Sequence, residues 1–129
     1  MARILLVDDE PSILNVLSTL LKGQGHDCVP AKGGEQAREL IREEQFDLMI
    51  SDIRMTPIDG LELLKLAKRM RPEMVVIMLT AYGSVETAVT AMKEGAFDYV
   101  TKPFKVDELL ITVQRALEFR SIVAENAQL

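Results

Sequence analysis

The stretch Leu48-Met49-Ile50-Ser51-Asp52 decides the fold. Four residues suited to a buried strand end on a carboxylate, and Ile53-Arg54-Met55-Thr56-Pro57-Ile58-Asp59-Gly60 follows as a loop. A parallel strand covered on both faces reads as an apolar run, and open α/β sheets place ligands at the C-terminal ends of such strands. Asp52 is therefore expected at the functional edge of a sheet. Three further segments end in the same way: Ile4-Leu5-Leu6-Val7 runs into Asp8-Asp9, Val75-Val76-Ile77-Met78-Leu79 into Thr80, and Tyr99-Val100-Thr101 into Lys102-Pro103. Parallel strands would bring three carboxylates, a hydroxyl and an amine to one edge.

Outward from these strands the chain alternates strand and helix five times. Arg3 to Val7 is the first strand, and Pro11 stands where a proline opens a helix. Ile13, Leu14, Val16, Leu17, Leu20 and Leu21 mark one face of that helix, and Gly25 suits its left-handed cap. Asp27 to Ala31 is a weaker strand at or near an edge; Glu35 to Glu44 is a helix packing through Ala37, Leu40 and Ile41. Gly60 to Met70 forms a helix with Leu61, Leu64 and Ala67 inward, stopped by Arg71-Pro72. Ser84 suits an N-cap, Val85, Ala88, Val89 and Met92 mark the next helix, and Gly95 closes it. Val106 to about Asn126 is a long last helix, with Leu109, Leu110, Val113, Ala116 and Leu117 facing the sheet. Helices of this length between strands imply right-handed crossovers and a sheet covered on both faces. The expected fold is α/β and flavodoxin-like: a doubly wound, five-stranded parallel sheet of order 2-1-3-4-5, whose switch point brings Asp8, Asp9 and Asp52 together.

A length of 129 residues suits one domain with a real core. The net charge of −5 speaks against a nucleic-acid surface on this segment, because phosphate binding needs a basic face. No apolar run approaches the roughly 20 residues of a membrane helix. Met1-Ala2-Arg3 enters a strand at once, so no signal peptide is expected. The lone Cys28 is expected to be a small buried strand residue, and a reducing cytoplasm the location. His26 reads as a solvated turn residue, and Met49, Met55, Met70, Met74, Met78 and Met92 as core filler.

Three carboxylates at one edge repel. At an effective dielectric of ~20, a like-charged pair at ~4 Å costs about 4 kcal/mol. Either one acid is protonated or a cation is present. Lys102 offers one positive charge, and a divalent ion would offset more. Oxygen donors without cysteine or histidine suit magnesium better than zinc. Magnesium with a carboxylate, a lysine and a threonine is a set for phosphoryl transfer, with the carboxylate able to form an acyl phosphate.

These residues resemble the receiver domain of bacterial two-component response regulators. The match runs through Val7-Asp8-Asp9-Glu10, Asp52, Asp59-Gly60, Thr80-Ala81 and Lys102-Pro103-Phe104. Thr80-Ala81-Tyr82-Gly83-Ser84-Val85-Glu86-Thr87-Ala88 and Gly95-Ala96-Phe97-Asp98-Tyr99 look most like the NtrC-like subfamily of sigma-54-dependent activators, which place the receiver before an ATPase module and a DNA-binding module. The resemblance implies that Asp52 accepts a phosphoryl group from a sensor histidine kinase. Asp9 and Asp52 would bind Mg²⁺ (or Mn²⁺ in its place) through their side chains, Arg54 through its backbone carbonyl, and Asp8 through a water. Lys102 and Thr80 would stabilise the phosphoryl group, Thr80 and Tyr99 would act as the switch, and the Lys102–Pro103 bond would be cis. The family places proline directly after the position of Met55; here Thr56 intervenes before Pro57. Arg54 and Tyr82 occupy positions that tune acyl-phosphate hydrolysis in the family.

Residues 1–120 are thus expected to form the receiver, signalling through helix 4, strand 5 and helix 5 to an output domain that controls transcription. Residues 121–129 would extend the last helix toward that domain. Phe119, Ile122, Asn126 and Leu129 follow a short coiled-coil spacing, so a homodimer is expected through this helix or through the helix 4–strand 5–helix 5 face. Such a domain catalyses its own phosphotransfer and dephosphorylation without being a classical enzyme. A phosphatase with an aspartyl nucleophile would need an Asp-x-Asp pair after strand one, and a flavin domain a Gly/Ser/Thr-rich loop there; Asp8-Asp9-Glu10 provides neither. The remaining alternative is a degenerate receiver acting only as an interaction module.

Overall fold

The computed structural model describes residues 2–81 and 84–128, with side chains through residue 122. Five strands, β1 (Arg3–Val7), β2 (Asp27–Ala31), β3 (Leu48–Asp52), β4 (Val75–Ala81) and β5 (Asp98–Lys102), alternate with five helices. The helices are α1 (Pro11–Gly23), α2 (Gly34–Glu43), α3 (Gly60–Met70), α4 (Val85–Lys93) and α5 (Val106–Gln128). The sheet is parallel throughout in the order β2-β1-β3-β4-β5, the expected flavodoxin-like winding.

Strand side chains alternate between two cores, which is why the strands read as continuous apolar runs. Leu5, Val7, Met49, Val76 and Met78 face one core, closed by Ala37 and Ile41 of α2, Leu63, Leu64 and Ala67 of α3 and Ala91 of α4. Ile4, Leu6, Leu48, Ile50, Ile77 and Leu79 face the other, closed by Leu14, Leu17 and Leu21 of α1 and Leu109, Val113 and Ala116 of α5. All five residues of β3 are buried, so Asp52 leaves the sheet at its centre.

Helix ends follow the local chemistry. Pro11 opens α1, and Gly25 follows it at φ 89°. The Asp59 carboxylate accepts a hydrogen bond from the Glu62 amide at 2.9 Å, capping α3. Ser84 sits at the cap position of α4, but its hydroxyl makes no capping hydrogen bond.

The helical faces needed correction in two places. Val16 is exposed, because α1 packs through Leu14, Leu17 and Leu21, with Ile13 and Leu20 partly buried at the margin. In α4 the residues against the sheet are Ala88 and Ala91, while Val85, Val89 and Met92 are exposed. Small side chains let the helix approach, which rotates its larger apolar residues outward. Met92 is therefore not core filler, whereas Met49, Met55, Met74 and Met78 are buried.

Three smaller expectations also resolve. Cys28 is half-buried and free. His26 is half-buried rather than solvated, and its Nδ1 accepts a hydrogen bond from the Ala2 amide at 3.2 Å. Phe119, expected in a coiled-coil seam, packs against Phe97 with ring centroids 5.3 Å apart, while Ile122 is exposed. The side chains of Asn126 and Leu129 lie outside the described residues. Among the described residues, no helix is long and apolar enough to cross a membrane.

Candidate functional site

The C-terminal ends of β1, β3, β4 and β5 converge. Asp8 follows β1 and is fully buried; its amide continues the sheet ladder to the Ala31 carbonyl at 3.2 Å. One Asp8 carboxylate oxygen accepts from the Glu10 amide at 3.0 Å and the other from Lys102 Nζ at 2.9 Å. The same ammonium lies 3.1 Å from Asp52 Oδ2. Asp52 is 8% exposed, and its Oδ1 faces the Arg54 amide at 3.4 Å. Asp9 is exposed, with its carboxylate within 4.8 Å of those of Asp8 and Asp52.

Local geometry holds this cluster. The Ile53 amide donates to the Leu79 carbonyl at 3.1 Å, carrying the β3–β4 ladder past Asp52. The loop then folds back so that the Gly60 amide donates to the Ile53 carbonyl at 2.7 Å. A Cβ on Gly60 would stand 2.2 Å from the Asp52 carbonyl oxygen and 2.6 Å from Ile53 Cα, so only glycine fits under the acid. The Lys102–Pro103 bond is cis, and so is Thr56–Pro57, in the loop where the proline is displaced by one residue. Met55 is buried beside Ile53, while Thr56 and Pro57 are exposed, so the displaced proline lies on the outer part of the loop.

Thr80 is buried near the end of β4, paired with Thr101 of β5, and Ala81 pairs with Lys102. Tyr99 pairs with Met78 and lies outward, 43% exposed. Tyr82 lies outside the described residues.

Burial pushes the Asp52 carboxyl above the usual carboxylate range. The hydrogen bond and charge of Lys102 oppose that shift, and the Asp8 charge adds to it. Burial also works to lower the Lys102 ammonium, but its hydrogen bonds and charge contacts with Asp8 and Asp52 outweigh burial and hold it above its usual value. One lysine thus serves two buried acids, and Asp9 stands beside them.

These residues line a cleft of ≈ 330 Å³ with Asp9, Asp52, Arg54, Thr80 and Lys102 on its walls. Glu10, Ser84 and Thr87 line it too, and were not singled out from the sequence as site residues. Ser84 and Thr87 reach the cleft through the placement of α4, which no local motif signals. A larger groove of ≈ 530 Å³ between α1 and α5 brings together one histidine and one glutamate, so size does not mark the reactive site.

Oxygen donors on three acids within 4.8 Å are a set suited to a hard divalent cation. A carboxylate in a cleft also lined by a lysine and a threonine is chemically suited to meet a charged electrophile.

Comparison with known proteins places this geometry in a family. The model of the response regulator receiver domain matches residues 4–114. The transcriptional regulatory protein ZraR of Escherichia coli (strain K12) is 46% identical over 124 residues, covering 95% of this chain and 28% of that protein. The regulatory protein AtoC of the same organism is 45% identical over 123 residues, covering 95% of this chain and 27% of its own length. The crystal structure of NtrX from Brucella abortus in complex with ADP superposes with a TM-score of 0.93 at 37% identity, covering 98% of this chain and 29% of that one. The chain belongs to the response regulator receiver domain family. Within it, the relatives are those of the NtrC-like subfamily that the sequence motifs led us to expect. The chain spans 28% and 27% of the two curated relatives.

Proposed function

We propose that this domain is a phosphorylation-controlled switch with Asp52 as acceptor. The observation that carries the proposal is the sharing of Lys102 between Asp8 and Asp52, at 2.9 and 3.1 Å, beside the exposed Asp9. Asp9 and Asp52 through their side chains, Arg54 through its backbone carbonyl, and Asp8 through a water would hold Mg²⁺, with Mn²⁺ able to substitute. When bound, the ion offsets the crowded acids and neutralises charge on the phosphoryl oxygens.

An Asp52 carboxylate oxygen attacks the phosphorus of a phosphohistidine on a sensor histidine kinase. A P–O bond forms as the P–N bond breaks, and the imidazole leaves with a proton from solvent. Lys102 pairs with the transferred phosphoryl oxygens, and Thr80 donates a hydrogen bond to one of them. The acyl phosphate adds roughly −1.5 to −2 charges at the sheet edge. Thr80 then moves toward the new group and Tyr99 turns inward, so that α4, β5 and α5 relay the state.

The exposed Val85, Val89 and Met92 beside the outward Tyr99 support a homodimer through the α4–β5–α5 face, and α5 offers a second dimer contact. The full-length protein would be cytoplasmic and control transcription through ATPase and DNA-binding domains following residues 121–129; this segment itself binds neither nucleic acid nor membrane. The domain promotes its own phosphotransfer and dephosphorylation rather than turning over a separate substrate.

Intact mass after incubation with acetyl phosphate and Mg²⁺ tests this reading. One added phosphoryl group is expected, absent from Asp52→Ala and absent without metal. No gain in mass in the wild type, repeated with a beryllofluoride mimic that also fails to bind, would refute it.

A further inference from the structure

A second opening adjoins the acceptor cleft. Its volume is ≈ 420 Å³, and Met55, Thr56, Asp59 and Leu61 line its outer part. Asp9, Ile53, Arg54 and Thr87 line both spaces, so the two meet at these four residues. Asp9, Ile53 and Arg54 lie on the β1 and β3 side. Thr87, half-buried in the first turn of α4, supplies the opposite wall. It is packed directly before Ala88, which is buried and fixes that turn to the fold.

We propose that Thr87, the α4 residue where these two spaces meet, limits the room beside Asp52 and so sets both the size of phosphoryl donor admitted and the access of water to the acyl phosphate. The inference rests on Asp52 being the acceptor. In hydrolysis, a water oxygen attacks phosphorus and forms a P–O bond as the bond to the Asp52 oxygen breaks. The carboxylate keeps the electron pair, and inorganic phosphate leaves with both hydrogens of the water, exchanging one with solvent. A wall that limits where water can stand slows this step without touching the reacting atoms. Thr87 therefore acts as a positioning residue, through volume rather than through bonding to the phosphoryl group.

The test compares Thr87→Ala, Thr87→Val and Thr87→Leu. Phosphorylation is followed by intact mass with phosphoramidate, the smaller donor, and with acetyl phosphate, and the decay of phosphorylated protein is timed after donor removal. Leucine is expected to slow acetyl phosphate uptake and decay by roughly 3- to 10-fold, a change of at most about one decade in rate. It should slow phosphoramidate uptake less, so that the ratio between donors shifts. Alanine should shift both in the opposite direction, and valine, which keeps the volume and removes the hydroxyl, should match the wild type. A general disturbance of α4 would slow both donors alike and leave their ratio unchanged, which would overturn the inference. Equal rates in all variants would overturn it too. A wild-type protein that takes up no phosphoryl group from either donor would instead refute the acceptor reading beneath it.

Discussion

The two ends of the sheet treat charge in opposite ways. At the base, where strands begin, the two acids beside β1 and β3, Glu44 and Asp47, each have a cation. Arg3 pairs with Glu44 and lies over the Phe46 ring at 5.0 Å, and Arg120 of α5 lies 3.5 Å from Asp47. Asp47 also accepts a hydrogen bond from the Arg3 amide at 2.8 Å. These groups are partly solvated and balanced, two acids with two arginines. At the other end three acids gather around one lysine, and two of the acids are buried. The same residue types that stabilise the base are in conflict at the top. A fold seldom keeps such a conflict without a use for it, since buried charge is costly unless paired.

The sharpest way to break the contrast is to remove the shared cation. Lys102→Met leaves Asp8 and Asp52 without their partner, and in metal-free buffer it should cost about 3–5 kcal/mol of unfolding free energy. Denaturant titration measures this, and Mg²⁺ should return part of the loss. A neutral result would mean that the acids do not depend on Lys102.

Next in size is Gly60→Ala. Its Cβ would meet the Asp52 carbonyl oxygen and the Ile53 backbone, which cannot move without shifting the end of β3. A loss of about 1–3 kcal/mol is expected from the same titration. At the base end, Gly23 has open space around a Cβ, so Gly23→Ala is the matched control and should not destabilise.

The smallest effect belongs to the base. Arg120→Ala should cost less than about 1 kcal/mol, because its pair with Asp47 is long and partly solvated. A loss as large as that of Lys102→Met would erase the distinction between the two ends.

Much of this was legible in the chain. β3 and β4 declare themselves because both of their faces are buried, so Leu48-Met49-Ile50 and Val75 to Leu79 are unbroken apolar runs that end on the polar residues of the site. The acids, Thr80 and Lys102 were legible because strand ends are positions the topology brings together. Helix orientation was harder to read. Periodicity finds an apolar stripe, but Ala88 and Ala91 took the inner face of α4 and left Val85, Val89 and Met92 outside. Phe119 fits a heptad by spacing, and the structure adds a contact with Phe97, distant in sequence, that leaves Phe119 48% exposed. Thr87 falls within the Thr80 to Ala88 run that marks the subfamily, but only the packing of α4 brings it to the cleft.

The central claim is that the acids are crowded and that a cation relieves them. Asp52 has its carboxyl raised in the folded state. Below the unfolded carboxylate pKa, Asp52 is protonated in both states and costs nothing. As pH rises through the folded value it ionises against Asp8 and its burial, and stability falls. The direct measurement is the thermal midpoint of wild type and Asp52→Asn at neutral pH, with and without Mg²⁺. Without metal the Asn variant should melt about 2–8 °C higher, the shift of roughly 1 kcal/mol in a domain of this size. Mg²⁺ should raise the wild type more than the variant and close the gap. An unchanged or lower midpoint for Asp52→Asn, or equal responses to Mg²⁺, would contradict the claim.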